Sequence, residues 1–480
     1  MIVDKLGVSR TMVVLITIAL LYPVVLCAVF FPTPFADLRE QIHWGLNFPL
    51  YTWKHPPLQS WVAGIVASTG VRDAWLYAII GQLINVFGAY YLFRAAREFL
   101  GSEAAPMVVL LVAGGIFFVA AVPTYLINAD QVLFGIWAAI LYYALAALLS
   151  NRWRDWLLLG VFAGLALLDK YDSLVLLAAL VIATLSLAEL RRSFLSPKLY
   201  VAVVICAAIV TPTVILTMQH PETLSYASGF AGSSWPRRLR SLSILAGSLL
   251  LYLSPIVIVL ATLSFRRQGV VWIAPTSVAA RFILVTTAAV VLLTAALILG
   301  AGFIYNERYS YPIFAVLVLA VTGAVHADAG AYRQGSRTAV AVWVCVLVGS
   351  VIYAIAFINK PLREPAPAAA AVLRGKWEQT FSCGPAYIIG IKGYAVALYY
   401  GGGVLGVGRE DLNFGIWVDR DRLKRLGAIV IGEPDMASEK AFQGELQHRT
   451  PTGTISLHYR RTWQSDLHTY EFYFVPPQGC

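Results

Sequence analysis

Residues 130–149 read DQVLFGIWAAILYYALAALL, one carboxylate followed by nineteen residues without a charge. A helix rises 1.5 Å per residue, so about 20 such residues cross the hydrocarbon core of a bilayer. No polar stripe interrupts the run, as the helix of a surface-exposed soluble domain would require. Comparable runs lie outward from it on both sides, near 11–32, 74–93, 105–122, 156–168, 173–188, 199–217, 242–264, 281–303, 309–325 and 338–358. The chain therefore reads as a polytopic α-helical membrane protein with about eleven spans. Composition agrees, with 59% of the 480 residues hydrophobic and only 13% charged. The runs at 156–168 and 173–188 are short and share the polar break Asp169-Lys170-Tyr171-Asp172. That break is either a connection between two helices or a kink within one buried hairpin.

The net charge of +10 does not point to nucleic acid. The basic residues sit between apolar runs, where they orient a membrane protein. Lys5, Arg10, Arg94, Arg97, Arg152, Arg154, Arg191, Arg192, Lys198, Arg266, Arg267, Arg333 and Arg337 fall on one side, which the positive-inside rule makes cytoplasmic. Segments 33–73, 123–130, 169–172, 218–241 and 304–308, with everything after 359, fall on the other. Arg237, Arg238 and Arg240 are the exception, on the outer side, where they suit either a phosphate or lipid headgroups. The expected location is a bacterial inner membrane, without a cleavable signal peptide.

Two domains are expected, a membrane domain over 1–360 with its first outer loop at 33–73, and a small periplasmic α/β domain over 361–480. In the latter, Tyr387–Ile391, Ala395–Tyr400, Ala428–Ile431, Thr454–Tyr459 and Tyr470–Val475 read as strands, and Asp419–Leu426 as a short helix. Gly401-Gly402-Gly403 and Gly406-Val407-Gly408 lack nucleotide-binding spacing and read as a loop. Cys27, Cys206 and Cys345 lie in apolar spans. Cys383 and Cys480 share the outer domain, where an oxidising compartment permits a disulfide or leaves two thiols.

Polar residues gather in the first outer loop, which holds Asp37, Arg39, Glu40, Gln41, His43, Lys54 and His55 among aromatics and suggests one or two interfacial helices. Further charges lie at the same outer level, with Asp130 opening its span, Asp169-Lys170-Tyr171-Asp172 between spans, and Asn306-Glu307-Arg308 ahead of Tyr309. Several blocks then match in order: Asp37-Leu38-Arg39-Glu40-Gln41, Tyr51-Thr52-Trp53-Lys54-His55-Pro56-Pro57-Leu58, Asn128-Ala129-Asp130 with Phe134-Gly135-Ile136-Trp137, Leu168-Asp169-Lys170-Tyr171, Gln219 to Ala227, and Glu307-Arg308-Tyr309 with Pro312. On these, over roughly residues 10–330, the chain resembles the bacterial branch of the dolichyl-phosphate-mannose protein mannosyltransferase family. That branch includes the lipid A aminoarabinose transferases and belongs to the GT-C glycosyltransferases.

The resemblance implies an inverting transfer of a hexosyl or pentosyl group from a polyprenyl-phosphate donor to a lipid or glycan acceptor at the periplasmic face, with lipid A or lipopolysaccharide favoured. Asp37 takes the place of the catalytic or acceptor-orienting carboxylate and Asp130 of its acidic partner. Glu40 belongs to the same substrate-facing block. Lys54 and His55 occupy the polar pair near the phosphate or a metal. Lys170, Arg308 and Arg237 are candidates for the donor phosphate, and Tyr171 and Tyr309 for packing against sugar or phosphate. In the aminoarabinose transferases the residue at the place of Lys54 is a zinc-binding glutamate. Its replacement leaves only His55 and His220 as candidate ligands for a divalent metal, and two histidines do not make a site. No other cofactor is implied. The competing function is a transporter or flippase of a lipid-linked sugar. It fits less well, because ionisable residues gather at one interface and not at the bilayer midplane.

Overall fold

A computed structural model describes residues 10–29, 34, 36–52, 54–71, 73–101, 127–220, 231–265, 271–272, 276–326, 338, 340–345, 347–349, 351–352, 366–390, 393–407, 419–432, 453–460 and 465–479. The span expected at 105–122, residues 221–227, the linker at Pro361 and Cys480 lie outside them. In chain order the helices are α1 (Arg10–Val29), α2 (Ala36–Gly45), α3 (Leu58–Ala67), α4 (Ala74–Phe99), α5 (Ala129–Ser150), α6 (Trp153–Asp169), α7 (Ser173–Ser186), α8 (Pro197–Gln219), α9 (Trp235–Phe265), α10 (Val278–Ala296), α11 (Ser310–Ala324), α12 (Ala366–Thr380), α13 (Gly393–Tyr400) and α14 (Arg420–Leu426). The strands are β1 (Val271–Trp272), β2 (Val325–His326), β3 (Tyr387–Ile389), β4 (Leu405–Val407), β5 (Ala428–Gly432), β6 (Gly453–Arg460) and β7 (Ser465–Val475). Contacts divide the chain into two compact units, residues 1–25 with 78–353 and residues 26–77 with 354–480.

In the first unit α5 is the central helix. It is buried on every side from Ala129 to Ala147, as its stripe-free sequence requires, and packs on α6 and α11. Asn128, and not Asp130, caps it, its side chain accepting from the Gln131 amide at 2.9 Å. Helix α8 packs on α6 and turns Val203, Val204, Ile215 and Met218 outward, the exposed apolar face of a helix that borders hydrocarbon. The α6–α8 crossing is close because Gly160 and Gly164 lie four apart on one face. A Cβ on Gly160 would sit 2.5 Å from the Ala202 carbonyl oxygen. Among the described residues four helices have the length and apolarity to cross a membrane, namely α4, α5, α8, and α10 continued through a π-turn to Ala301. Helices α6 and α7 are separate, broken at Lys170–Asp172, so the polar stretch there is a connection between helices. The short β1 and β2 pair antiparallel.

In the second unit α2 and α3 cross at Gly45 and Gly64. The two backbones touch so closely that a Cβ on either glycine would collide with the other helix. Gln41 accepts a hydrogen bond from Ser60 across the same crossing, and the Trp61 indole donates to the Pro49 carbonyl at 2.7 Å, holding the connection between the helices. Two helices thus stand where one or two were expected. The remainder is a five-stranded mixed sheet in the order β4-β3-β5-β7-β6, with β3 parallel to β4 and β5, and β7 antiparallel to β5 and β6. Trp377, Ile388, Ile429 and Phe472 form its core with α12 and α13.

Two sequence expectations are corrected here. Residues 395–400 are not a strand but part of α13. Val396, Ala397, Leu398 and Tyr400 are all buried against more than one neighbour, and a short apolar run fits either period until packing chooses. Residues 405–407, expected within a loop, form the edge strand β4. Cys383 is disulfide-bonded, and its expected partner Cys480 is not among the described residues.

Candidate functional site

The residues singled out in the sequence fall into two groups, one in each compact unit. In the second unit the first turn of α2 carries Asp37, and one turn later, on the same face, Glu40. Lys54 reaches both from the following connection, its ammonium 3.3 Å from Asp37 Oδ1 and 3.0 Å from Glu40 Oε2. Lys54 is largely buried while Asp37 is 48% exposed, so one carboxylate of the trio stays accessible. Arg39 points the other way, its Nε donating to the Pro34 carbonyl at 2.6 Å and fixing the approach to α2. His55 follows Lys54 and its amide donates to Thr52 Oγ1 at 3.1 Å.

This group does not fit a bound metal. The Lys54 ammonium already occupies the space between the two carboxylates. Among the described residues no three His, Cys, Asp or Glu side chains converge as a metal would require. His55 and His220 belong to different units. An accessible carboxylate such as Asp37 suits a hydroxyl to be oriented and deprotonated.

The second group is built on three elements of the first unit. Asp130 stands in the first turn of α5, and Lys170 follows the last residue of α6. Arg308 lies in the 3₁₀ turn Glu307–Tyr309, ahead of α11. Lys170 Nζ lies 2.8 Å from Asp130 Oδ1 and 2.8 Å from Asp172 Oδ2. Arg308 Nε is 3.7 Å from Asp130 Oδ2. The Tyr309 ring backs both cations, with Lys170 Nζ 3.6 Å and the Arg308 guanidinium 5.7 Å from its centre. Burial alone would discharge Lys170, but the Asp130 and Asp172 carboxylates outweigh it and raise its pKa, so the ammonium persists.

Further residues belong to this locus. Asp169 is 0% exposed, and among the described residues neither of its carboxylate oxygens has a hydrogen-bond partner. The Tyr305 hydroxyl and Ser310 Oγ are 2.7 Å apart, and Ser310 Oγ is 2.6 Å from Ser248 Oγ, a polar seam running inward from the charges. Neither seam nor pairing has a local sequence signal, since Ser248 and Ser310 are 62 residues apart. Asp169 and Asp172 were visible only as part of the break between two apolar runs. Tyr171, beside Lys170, is instead exposed. Arg237 is exposed in the first turn of α9, while its neighbour Arg238 is spent on structure, donating to the carbonyls of Ser233 at 2.8 Å and Leu299 at 2.6 Å.

Comparison with known proteins bears on this arrangement. Residues 54–216 match the family model described as dolichyl-phosphate-mannose-protein mannosyltransferase. The structure is similar to that of ArnT from Cupriavidus metallidurans bound to undecaprenyl phosphate, with a TM-score of 0.62 and 16% identity, covering 96% of this chain and 97% of that one. The same enzyme in the apo state gives 0.62 and 15%, over 97% and 99%. No curated protein sequence matches. The resemblance read from the sequence therefore holds. It rests on a family match over about a third of the chain and on a common helical fold over nearly all of it.

Proposed function

We propose that the chain is an inverting membrane glycosyltransferase. It takes a hexosyl or pentosyl group from a polyprenyl-phosphate donor to a lipid or glycan acceptor, with lipid A or lipopolysaccharide favoured. In this reading the protein lies in a bacterial inner membrane with its C-terminal residues in the periplasm. The observation that carries it is the buried pairing of Asp130 with Lys170 and Arg308. Asp130 holds both cations in a largely buried site, positioned to meet an arriving phosphate.

The chemistry follows from that arrangement. The bond between the sugar's anomeric carbon and the phosphate oxygen breaks, and the phosphate gains a charge that Lys170 and Arg308 stabilise. The acceptor oxygen bonds to the opposite face of that carbon, which inverts it. Its proton passes to a carboxylate, the role that the family resemblance alone gives Asp37. Tyr309 keeps the two cations aligned. ArnT, whose fold this chain shares, binds undecaprenyl phosphate, which supports a lipid phosphate as the leaving group.

The test is transfer by the purified full-length protein in liposomes loaded with a polyprenyl-phosphate sugar, next to mass spectrometry of envelope glycolipids with and without the gene. Asp37→Asn and Asp130→Asn are each expected to lower the rate by about 10²-fold or more while the protein stays folded. Undiminished transfer in both would overturn the assignment of these residues.

A further inference from the structure

The first unit contains a cavity of about 280 Å³ remote from the charged locus. It is bounded by α5, α6, α7, α8 and α10, and by the 3₁₀ turn Arg191–Leu195. Its walls include Leu148, Trp156, Leu180, Phe194 and Cys206. Two polar wall groups are already paired: the Trp156 indole donates to Asn151 Oδ1 at 3.0 Å, and Thr184 Oγ1 donates to the Leu180 carbonyl at 2.7 Å. Most of the remaining wall is aliphatic or aromatic, so the cavity suits an apolar occupant. Along α5 the cavity begins at Ala144, fourteen residues or about 21 Å from Asp130.

The rim has the opposite character. Ser193 and Phe194 face the cavity, and directly before them Arg191 and Arg192 are exposed. Lys198 precedes the wall residue Leu199, its ammonium donating to Asn151 O and lying 5.5 Å from the centre of the Trp153 ring. Arg152 and Arg154 are exposed where α6 begins. Of the nearby acids, Glu189 is taken by Arg281 at 2.6 Å, and Asp155 is buried. A chain-sized apolar cavity with a cationic rim is complementary to a ligand with an apolar tail and an anionic head.

We propose that this cavity binds one acyl chain of an anionic phospholipid whose headgroup rests on Arg191 and Arg192. At ~30 Å³ for a methylene- or water-sized group, the cavity takes about nine carbons, roughly half of an ordinary acyl chain. A zwitterionic headgroup gains less, because its own cation opposes the rim. The site is independent of the transferase reading, since it shares no residue with the Asp130–Lys170 locus.

Trp156, in the wall, reports on it. The full-length protein is placed in phosphatidylcholine bilayers doped with lipid brominated in mid-chain, either phosphatidylglycerol or phosphatidylcholine. The fluorescence difference between wild type and Trp156→Phe isolates the Trp156 signal. Brominated phosphatidylglycerol should quench it at mole fractions where brominated phosphatidylcholine does not. Arg191→Glu with Arg192→Glu, both on the surface, should raise the phosphatidylglycerol needed by at least roughly 30-fold, about fivefold for each basic residue lost, with repulsion from the new carboxylates adding to it. Native mass spectrometry should show one bound phosphatidylglycerol on the wild type, lost in the charge-reversed variant. No quenching by either lipid, equal quenching by both, or a retained neutral lipid would overturn the proposal.

Discussion

Replacing Lys170 by Met removes the ammonium and keeps most of the side-chain volume. Lys170 lies 2.8 Å from both the Asp130 and Asp172 carboxylates, and only 4% of the Asp130 side chain is exposed. What remains for Asp130 is Arg308, at 3.7 Å. Removing one partner of a buried pair costs about 3–5 kcal/mol, because the other charge is left without compensation. At about 1.4 kcal/mol per tenfold, the ratio of folded to unfolded protein falls by roughly two to three and a half orders of magnitude. Equilibrium unfolding in mixed micelles measures it. Adding Asp130→Asn removes the stranded charge, so the double variant should recover part of the loss, with a coupling of about 0.5–3 kcal/mol. The pH dependence has a definite sign. A lysine whose folded-state pKa is raised contributes stability that is complete below its unfolded value near 10.4 and is lost only as pH climbs through the higher folded value. The difference between wild type and Lys170→Met should therefore be flat from pH 5 to about 9 as far as Lys170 is concerned. A loss under about 0.5 kcal/mol, or strict additivity in the double variant, would refute the reasoning.

Asp169→Asn should preserve or raise the thermal midpoint, because a buried carboxylate without a partner is costly when charged and a neutral amide removes that penalty. A drop of several degrees would mean that Asp169 has a partner of its own. Gly160→Val puts a Cβ 2.5 Å from the Ala202 carbonyl oxygen and should cost about 1–3 kcal/mol by forcing α6 from α8, an effect that disappears if the midpoint is unmoved. His43 Nδ1 accepts the Gly406 amide at 3.1 Å, so His43→Leu strands a buried donor and should cost about 1–3 kcal/mol. Limited proteolysis within residues 393–407 reads the loosening directly, and an unchanged cleavage rate would count against it.

Helix positions were legible because lipid-crossing helices announce themselves by length and apolarity. The α5 run is one example, and the break at Lys170–Asp172 is another. The start of α14 was also legible, since Asp419 caps it by accepting from the Arg422 amide. What could not be read depends on residues far apart in sequence. The hold of Asp37 and Glu40 on Lys54 runs over 17 and 14 residues, and no local pattern encodes it. The pairing of Asp130 with Lys170 spans 40 residues, and no periodicity encodes it. Residues 395–400 misled because Ala, Val, Leu and Tyr satisfy a strand or a buried helix equally, and only contacts with α12 and β4 decide.

The make-up of the second unit has a consequence in time. Residues 26–77 leave the ribosome early, but the segment they pack with begins at Ala354, and 78–353 must be made in between. At ~5–20 residues per second that interval lasts roughly 14–55 s. For that period the close-crossed pair α2–α3 exists without the strand whose Gly406 amide His43 receives. A nascent chain arrested before residue 400 should present an accessible His43 to a histidine-directed reagent, and protection should arrive only when the last quarter of the protein has been delivered.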